Sequence, residues 1–179
     1  MAEPEFPRNI AELPFRGDGE IARIKMQPHS IEAEQSVLGG LMLQNDALDR
    51  IADLIRAEDF YRADHRAIFA EITRQIGAGK AADCMTVAEA LDRAGRLAEF
   101  GGWPYLHGLT YNTPSAANIR RYAEAVRDRA RLRALATVAA DISEAAYNPD
   151  GRSAAEIAAS AETALAGFAE DRDQGEPET

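Results

Sequence analysis

The chain has little cysteine, few aromatic residues and no long apolar run. Its 179 residues include one cysteine, Cys84, so an internal disulfide is excluded and a reducing compartment is favoured. No stretch approaches the ~20 apolar residues needed to cross a bilayer. The first residues have neither the basic leader nor the apolar core of a signal peptide. We therefore expect a cytoplasmic protein with no membrane partner.

Positive charge is also scarce. The chain has 20 Lys and Arg against 30 Asp and Glu, which gives a formal net charge of −10. Affinity for DNA depends mainly on lysine and arginine neutralising phosphates. The overall charge therefore argues against a DNA-binding module, although a local basic patch stays an alternative.

Apolar residues, many of them alanine, make up 46% of the chain, and from Ser30 onward they follow a helical period. Ser30 is placed to cap the first helix, and Glu32 and Glu34 put negative charge at its positive end. Gly39-Gly40 in mid-helix is expected to allow another backbone to pack closely. The apolar face of this helix consists of Val37, Leu38, Leu41 and Met42.

Four shorter helices are predicted between this helix and residue 115. They are indicated by Leu48, Ile51, Ala52 and Ile55 after Asn45; by Ile68, Phe69, Ile72 and Ile76 before Gly77-Ala78-Gly79; by a capping box of Thr86 with Glu89; and by inward-facing Leu106 and Leu109 after Gly101-Gly102.

The second half of the chain predicts a long helical hairpin. Residues 116–147 contain no glycine or proline, residues 148–152 form a turn, and Ser153 with Glu156 caps a second helix to Phe168. We predict an all-α fold, a small helical bundle followed by a long antiparallel helical hairpin. Its predicted parts are a flexible arm (1–27), a globular helical subdomain (28–114), the hairpin (115–169) and the acidic start of a linker (170–179).

The hairpin is expected to associate with a second copy of itself. Its two helices are expected to meet along alanine-rich seams, and Leu132, Val138 and Phe168 are then left without cover. The alternative is that the hairpin folds back on its own globular half. The self-association candidates are Leu135, Ala139, Ile142, Ile157 and Leu165.

No catalytic, cofactor or metal site is indicated. Gly77-Ala78-Gly79-Lys80 is not a phosphate loop, because Arg74 and Ala81 stand where that motif needs Gly and Ser or Thr. His29, His65 and His107 lack the spacing of zinc ligands.

A run of arginines in the long helix allows two interpretations. It is either a solvated face with ion pairs or a basic strip that contacts an acidic partner or a DNA strand. Its members are Arg120, Arg121, Arg127, Arg129, Arg131 and Arg133.

Five blocks of sequence, in order, are similar to one known family. The first is Pro-His-Ser-Ile-Glu-Ala-Glu-Gln-Ser-Val-Leu-Gly-Gly-Leu-Met-Leu at residues 28–43. The others are Asp59-Phe60-Tyr61 with His65 to Phe69; Leu91, Gly95, Leu97 and Gly101-Gly102 with Tyr105-Leu106; Asn112 to Ile119 with Tyr122-Ala123; and Asp150-Gly151-Arg152. Together they resemble the N-terminal domain of bacterial replicative DNA helicases, the DnaB family.

This resemblance implies a role in a replication machine. In the family, pairs of this domain form a collar on a hexameric ring, and the collar docks the C-terminal domain of primase. A helicase loader is a further possible partner. In the family, ATP, Mg²⁺ and 5′→3′ unwinding belong to a RecA-like ATPase domain that follows. The resemblance therefore implies that this chain is not itself an enzyme and that DNA is bound only by the parent protein. The primase-docking candidates are Tyr105, Ala136, Ile142 and Ile157.

Two rival functions stay open from the sequence. One is a nucleic-acid-binding module that uses the arginine strip. The other is a free-standing helicase loader or inhibitor that mimics the collar.

Overall fold

The computed structural model describes residues 26–170, and side chains from residue 26 to residue 168. The predicted arm therefore lies outside the described residues except for its last two positions, as does the predicted linker after Glu170. In the described part there are helices and no strands, so the predicted all-α class is confirmed. The α-helices are α1 (Ile31–Leu43), α2 (Ala63–Gly77), α3 (Cys84–Arg93), α4 (Gly102–Tyr111), α5 (Ile119–Tyr147) and α6 (Ala154–Glu170). None of them is long and apolar enough to cross a membrane.

Helix α1 is the centre of the globular head. It packs against α2, α4 and the first half of α5, and its buried face includes Val37, Leu38 and Leu41. These three helices contribute the fully enclosed side chains Ile68, Ile72, Leu106 and Ile119, and the segment before α2 adds Phe60. Removing such side chains from water is the main source of stability for a head of short helices.

Two adjacent glycines let the neighbours approach α1 closely, as the sequence predicts. A Cβ atom on Gly39 would lie 2.2 Å from Thr113 Oγ1 and 2.3 Å from the Leu109 carbonyl oxygen. One on Gly40 would lie 3.4 Å from Ile119 Cδ1. Gly39 is therefore required for contact with the end of α4, and Gly40 lies at a looser contact with α5.

The predicted amphipathic helix after Asn45 is wrong. The chain forms a short 3-10 helix at Asn45–Arg50, followed by turns. The Asn45 side chain explains this local structure, because it donates to the Leu41 carbonyl at 2.7 Å and pairs with both backbone groups of Ala82. These bonds fix the exit from α1, because Asn45 is held to the end of that helix and to the segment before α3 at the same time.

The start of α3 also differs from the prediction. Asp83, and not Thr86, is the N-cap: its Oδ1 accepts from the Thr86 backbone N–H at 2.9 Å, and Thr86 Oγ1 accepts from the Asp83 N–H at 2.9 Å. The capping box is thus formed three residues earlier than Thr86 with Glu89 suggested, because an aspartate is an equally good cap.

Helices α5 and α6 form the predicted antiparallel hairpin. Helix α5 has 29 residues, and its first half packs on the head through Ile119, Ala123 and Val126. The turn uses left-handed backbone at Asp150 (φ 48°) and Gly151 (φ 83°). The predicted capping box begins α6, since the Ser153 N–H donates to Glu156 Oε2 at 2.7 Å and the Glu156 N–H donates to Ser153 Oγ at 3.3 Å.

The seam inside the hairpin agrees in part with the sequence, which predicts Leu135, Ala139 and Ile142 of α5 against Ile157, Ala161, Ala164 and Leu165 of α6. Ile142, Ile157, Ala161 and Ala164 do line the seam. Leu135, which is 37% exposed, and Ala139 face solvent. Val138, which the sequence left uncovered, is half-buried on the seam instead. The residues of α5 that face α6 are spaced i, i+4 and i+7 along the helix. They are Val138, Ile142 and Ala145, and they meet Ile157, Ala161 and Ala164 of α6.

Candidate functional site

A chain of buried polar side chains joins three helices of the head. Glu34 on α1 is 1% exposed and His65 on α2 is 0% exposed. Glu34 Oε2 lies 2.6 Å from His65 Nδ1, and His65 Nε2 lies 2.6 Å from the Tyr105 hydroxyl on α4. Gln35 Nε2 donates to that hydroxyl at 3.3 Å. We call these four residues the polar network.

The directions of these hydrogen bonds are fixed by their end members. Glu34 accepts from the Tyr61 N–H at 2.6 Å and from the Arg62 N–H at 3.4 Å, so it acts as an acceptor throughout. His65 therefore donates from Nδ1 and accepts at Nε2 from the Tyr105 O–H, which in turn accepts from Gln35. Among the described residues no buried side-chain nitrogen or oxygen lacks a partner. A fully satisfied network of this kind makes the packing of the three helices specific.

An ion pair covers the network from the solvent side. The Arg62 Nε donates to Asp64 Oδ1 at 2.9 Å, and the Arg62 guanidinium lies 5.3 Å from the centre of the Tyr105 ring. Burial alone would raise the pKa of the Asp64 carboxyl, but the hydrogen bond from Arg62 holds that pKa below its usual value. The same hydrogen bond raises the pKa of the Arg62 guanidinium.

Tyr105 is not the exposed contact residue that the sequence suggested. Its ring is half-buried beside His65 and its hydroxyl is bonded on both sides. The exposed aromatic side chains of α4 are Trp103 and Tyr111, at 39% and 80%. Tyr105 instead forms one wall of a groove of about 270 Å³ between α1 and α4, which also includes Glu32 and Gly108.

The sequence did contain a signal for the Glu34–His65 pair. Glu34 precedes Val37 and Leu38 by three and four residues, and His65 stands in the same relation to Ile68 and Phe69. Both residues thus occupy positions on the buried faces of their helices, where a polar side chain needs a partner. Reading Glu34 as a helix-end charge, and His65 as an isolated histidine, missed this.

The six arginines of α5 do not form one continuous strip. Arg133 turns toward the head and donates to the carbonyls of Pro28 at 2.8 Å and of Asp59. Burial lowers the pKa of the Arg133 guanidinium. Arg127 pairs with Asp59 at 3.5 Å, Arg120 pairs with Glu124 at 3.3 Å, and Arg131 lies 5.5 Å from the Phe168 ring centre.

Arg121 and Arg129 are exposed and lie eight residues apart, about 80° around the helix and about 12 Å along it, so two of the six arginines share a broad solvent-facing side. The arrangement favours an ion-paired helix over a surface that follows a DNA strand.

Beside the seam, α5 has an exposed apolar stripe, which we call the outer stripe and which consists of Leu132, Leu135, Ala139 and Ala146. On α6, Leu165 is 44% exposed. A separate groove of about 220 Å³ lies over the seam and brings Ile142 and Ile157 together. The predicted self-association residues therefore divide between two surfaces, and Ala136, also exposed, lies next to the outer stripe.

Nothing in the described part of the chain resembles a metal or nucleophile site. Within residues 26–170 no three His, Cys, Asp or Glu side chains lie close enough together to hold a metal ion. Burial raises the pKa of the Cys84 thiol, which makes it less reactive.

Comparison with known families decides the class of this fold. The family described as DnaB-like helicase N terminal domain matches residues 26–128. The chain belongs to this family. Among solved structures, the N-terminal domain of DnaB helicase from Mycobacterium tuberculosis is 38% identical, with a TM-score of 0.74 over 79% of this chain and 99% of that one. A DnaB-like replicative helicase described with its interactions with primase shares the fold, at 20% identity and a TM-score of 0.61, over 76% of this chain and 31% of that one.

Curated relatives are full replicative helicases. Replicative DNA helicase DnaB of Haemophilus influenzae is 42% identical over 155 residues, which cover 87% of this chain and 33% of the relative. The protein of the same name from Buchnera aphidicola is 37% identical over 153 residues, which cover 86% and 33%. The chain thus spans about a third of the length of these relatives, and the matched third is the N-terminal domain. The predicted family is confirmed, and these 179 residues do not include the ATPase domain.

Proposed function

We propose that this chain is the assembly and primase-docking domain of a bacterial replicative DNA helicase, whose whole protein unwinds DNA 5′→3′ with ATP. In this role the hairpins of two copies pair, three such pairs form a collar on a hexameric ring, and the collar receives the C-terminal domain of primase. A helicase loader is a further candidate partner. ATP and Mg²⁺ bind elsewhere in the parent, and this chain has a mechanical rather than a chemical task. The DnaB family membership and the outer stripe together support this proposal.

The outer stripe is the main argument for self-association. Leu132 and Leu135 are more than one-third exposed on a projecting helix pair that has only one seam of its own. Covering such a surface removes apolar area from water, at ~25 cal/mol per Å². A second copy presents the same stripe, as a two-fold contact requires. Self-association thus uses the outer stripe beside the seam, while Ile142 and Ile157 hold the two helices of one hairpin together.

Two neighbouring alanines test this arrangement with the same chemical change. Ala139→Asp places a charge in the outer stripe, whereas Ala140→Asp places it about 100° around the helix, beside Thr137 and Glu144. Sedimentation velocity should show a smaller species for Ala139→Asp and wild-type behaviour for Ala140→Asp. Equal sedimentation of both variants and the wild type would remove the outer stripe from the assembly.

Primase docking follows from the same assembly. Tyr105, Ala136, Ile142 and Ile157 lie on the head, the outer side of the hairpin and its seam groove, so one protomer does not gather them into a single patch. A surface built from two paired copies would bring head and hairpin residues together. Ile142, Ile157 and half-buried Tyr105 then act mainly by fixing the shape of the domain, and Ala136 by contact.

Direct nucleic-acid binding is the second candidate, and two exposed arginines, Arg121 and Arg129, are the observation in its favour. It predicts an affinity for single-stranded DNA that falls steeply with salt and is lost in Arg121→Ala/Arg129→Ala. The docking proposal predicts almost no binding at physiological salt. A free-standing loader or inhibitor would be eliminated if the gene's reading frame continues into a phosphate loop.

A further inference from the structure

Helix α5 leaves the head at Arg133. As far as Val126 its buried side chains pack on the head, whereas residues 134–137 are all exposed. Arg133 lies seven residues, or two turns, beyond Val126, so its side chain starts from the same side of the helix. In the described part of the chain, the hydrogen bonds of Arg133 are therefore the outermost ones that tie α5 to the head.

Arg133 ties α5 to two other segments of the head at once. One terminal nitrogen of its guanidinium donates to the Pro28 carbonyl, in the chain that enters α1, at 2.8 Å. The other terminal nitrogen donates to the Asp59 carbonyl, in the loop before α2. Hydrogen bonds from a charged donor are stronger than neutral ones, and the planar guanidinium orients both of them. One side chain thus holds three segments together.

The loop before α2 is itself held by the other helices. Arg66 on α2 donates from Nε to the Phe60 carbonyl at 2.7 Å and from Nη2 to the Tyr61 carbonyl at 3.3 Å. Glu34 on α1 accepts from the Tyr61 N–H at 2.6 Å. A loosely held loop would move with α5, but this loop is anchored to α1 and α2. Arg133 is therefore bonded to a fixed part of the head.

Two rings on the same segments complete the contact. The Arg133 guanidinium lies 5.7 Å from the centre of the Tyr61 ring, and that ring stacks on His29 with centres 4.5 Å apart. A guanidinium near an aromatic ring is attracted to it electrostatically. His29 follows Pro28 at the entry to α1, so the ring stack joins the same two segments whose carbonyls Arg133 binds. We call this set of contacts the Arg133 clamp.

The clamp doubles the length over which the head supports α5. The helix rises about 10 Å from Ile119 to Val126 and about 21 Å from Ile119 to Arg133. A given looseness of packing tilts a helix through an angle that is inversely proportional to its supported length. Tyr147, at the hairpin tip, lies about 42 Å along the helix from Ile119. A looseness of about 1 Å would therefore move the tip about 4 Å without the clamp and about 2 Å with it.

We propose that Arg133 is the positioning residue that fixes the direction of the hairpin relative to the head, by holding α5 to the entry of α1 and to the loop before α2. The proposal concerns the shape of one protomer, so it does not rest on self-association or on primase docking. It also couples two distant places, because the backbone before α1 and the hairpin tip, about 21 Å beyond Arg133, depend on the same support.

Double electron–electron resonance between the head and the hairpin tip measures this direction. In a Cys84→Ala background, nitroxide labels are placed at Asp92→Cys on α3 and Tyr147→Cys at the tip, both exposed positions. Labelled chains are mixed with excess unlabelled chains, so that an assembly contains at most one labelled copy. Arg133→Ala should widen the distance distribution at least about 1.5-fold, because the supported length halves while the width due to the labels is constant. A width equal to that of the wild type would overturn the proposal.

Arg120→Ala is the matched control for the same label pair. Arg120 also donates from α5 to a carbonyl of the head, that of Arg50 at 3.1 Å. It lies one residue after Ile119, however, inside the length that packing already supports. Its removal should leave the width unchanged. Equal broadening by Arg120→Ala would show that the loss of any such bond loosens the helix, and the particular role of Arg133 would be refuted.

A label pair inside the head separates positioning from stability. Labels at Asp53→Cys and Asp92→Cys, again at exposed positions, should keep their wild-type width in Arg133→Ala. The reason is that the loop before α2 keeps its bonds to Arg66 and Glu34. If this width also increases, the head itself has loosened, and Arg133 is a stabilising residue without a positioning role.

Arg133→Lys tests whether the two-carbonyl geometry matters. Lysine keeps the charge, but its ammonium is a point charge on a flexible stem and does not orient two carbonyls as the guanidinium does. We expect Arg133→Lys to widen the head-to-tip distribution nearly as much as Arg133→Ala. A wild-type width in Arg133→Lys would mean that charge alone holds the helix, and the Arg133 clamp as described would be wrong.

Discussion

Glu34 and His65 are 31 positions apart in the sequence, and their side chains meet at 2.6 Å in the centre of the head. Through this contact α1 is tied to α2, and through Tyr105 both are tied to α4. The head packs the first half of α5 against the same α1. The polar network thus holds together the helices from which the hairpin projects. Its loss should mainly lower the free energy of unfolding and, to a smaller extent, change the direction of the hairpin.

Glu34→Ala should lower the free energy of unfolding by about 3 kcal/mol, because it leaves His65 and two backbone N–H groups unpaired in a buried place. Glu32→Ala is the control, since Glu32 is exposed on the same helical turn and its removal should change stability by less than about 0.5 kcal/mol. Urea unfolding followed by circular dichroism measures both. Similar values for the two variants would mean that the network adds nothing to stability.

Tyr105→Phe removes one hydroxyl and leaves Nε2 of His65 without a donor. We expect a loss of about 1–2 kcal/mol in the free energy of unfolding, the cost of one unsatisfied buried acceptor. Tyr111→Phe makes the same chemical change at a side chain that is 80% exposed and should be neutral. Thermal unfolding of the two variants gives the comparison, and a neutral Tyr105→Phe would mean that the hydroxyl adds nothing to the stability of the polar network.

The two glycines of α1 should respond differently to the same substitution. Gly39→Ala forces a Cβ atom to within 2.3 Å of a backbone oxygen, which cannot move without shifting α4. We expect a loss of about 3 kcal/mol or more. Gly40→Ala meets the Ile119 Cδ1 methyl group at 3.4 Å and Ala116 at 3.6 Å, both near ordinary contact distance, and gains about 1 kcal/mol of helix propensity, so its net effect should be small. Chemical denaturation of both variants tests the contrast.

Elements with strong local signals could be predicted from the sequence. The glycines at residues 77–79 end α2, the run without glycine or proline gives α5, and Ser153 with Glu156 begins α6. These signals act within a few residues, so no knowledge of the tertiary structure is needed. The 3-10 helix after Asn45 was missed because a side-chain bond to Ala82, distant in sequence, determines it.

The side of α5 that faces α6 could not be predicted for a related reason. Leu135 and Ala139 are as apolar as Val138 and Ala145, so two faces of the helix were equally suitable as a seam. The side is set by how the two helices pack as a pair, and at the base of the hairpin Arg131 lies against Phe168. The Glu34–His65 pair depends in the same way on how separate helices meet.

The stability of the head should decrease in acid. The hydrogen bond from Arg74 holds the pKa of the Glu71 carboxyl below its ordinary value of 4.5. Its contribution is therefore present above about pH 4.5 and is lost as the pH falls through the lower folded-state pKa. Glu71→Gln should have a flatter stability profile below pH 4.5 than the wild type, while Asp53→Asn, at an exposed position, should follow it. Urea midpoints from pH 7 to pH 2 supply the profiles, and parallel curves for Glu71→Gln and wild type would contradict this.

Primase docking should depend on assembly if the docking surface is built from two copies. Ala139→Asp, which we expect to be monomeric, should then lose affinity for the C-terminal domain of primase at least about tenfold, a loss of about 1.4 kcal/mol. Ala159→Asp should bind like the wild type, because it places the same charge on the exposed side of α6, about 160° around that helix from Ile157. Calorimetric titration of the primase domain into each variant, with the oligomeric state measured on the same samples, separates the two cases. Wild-type affinity in a variant proven to be monomeric would place the docking surface within one protomer, and Ala136→Asp would then be the variant that identifies it on the hairpin.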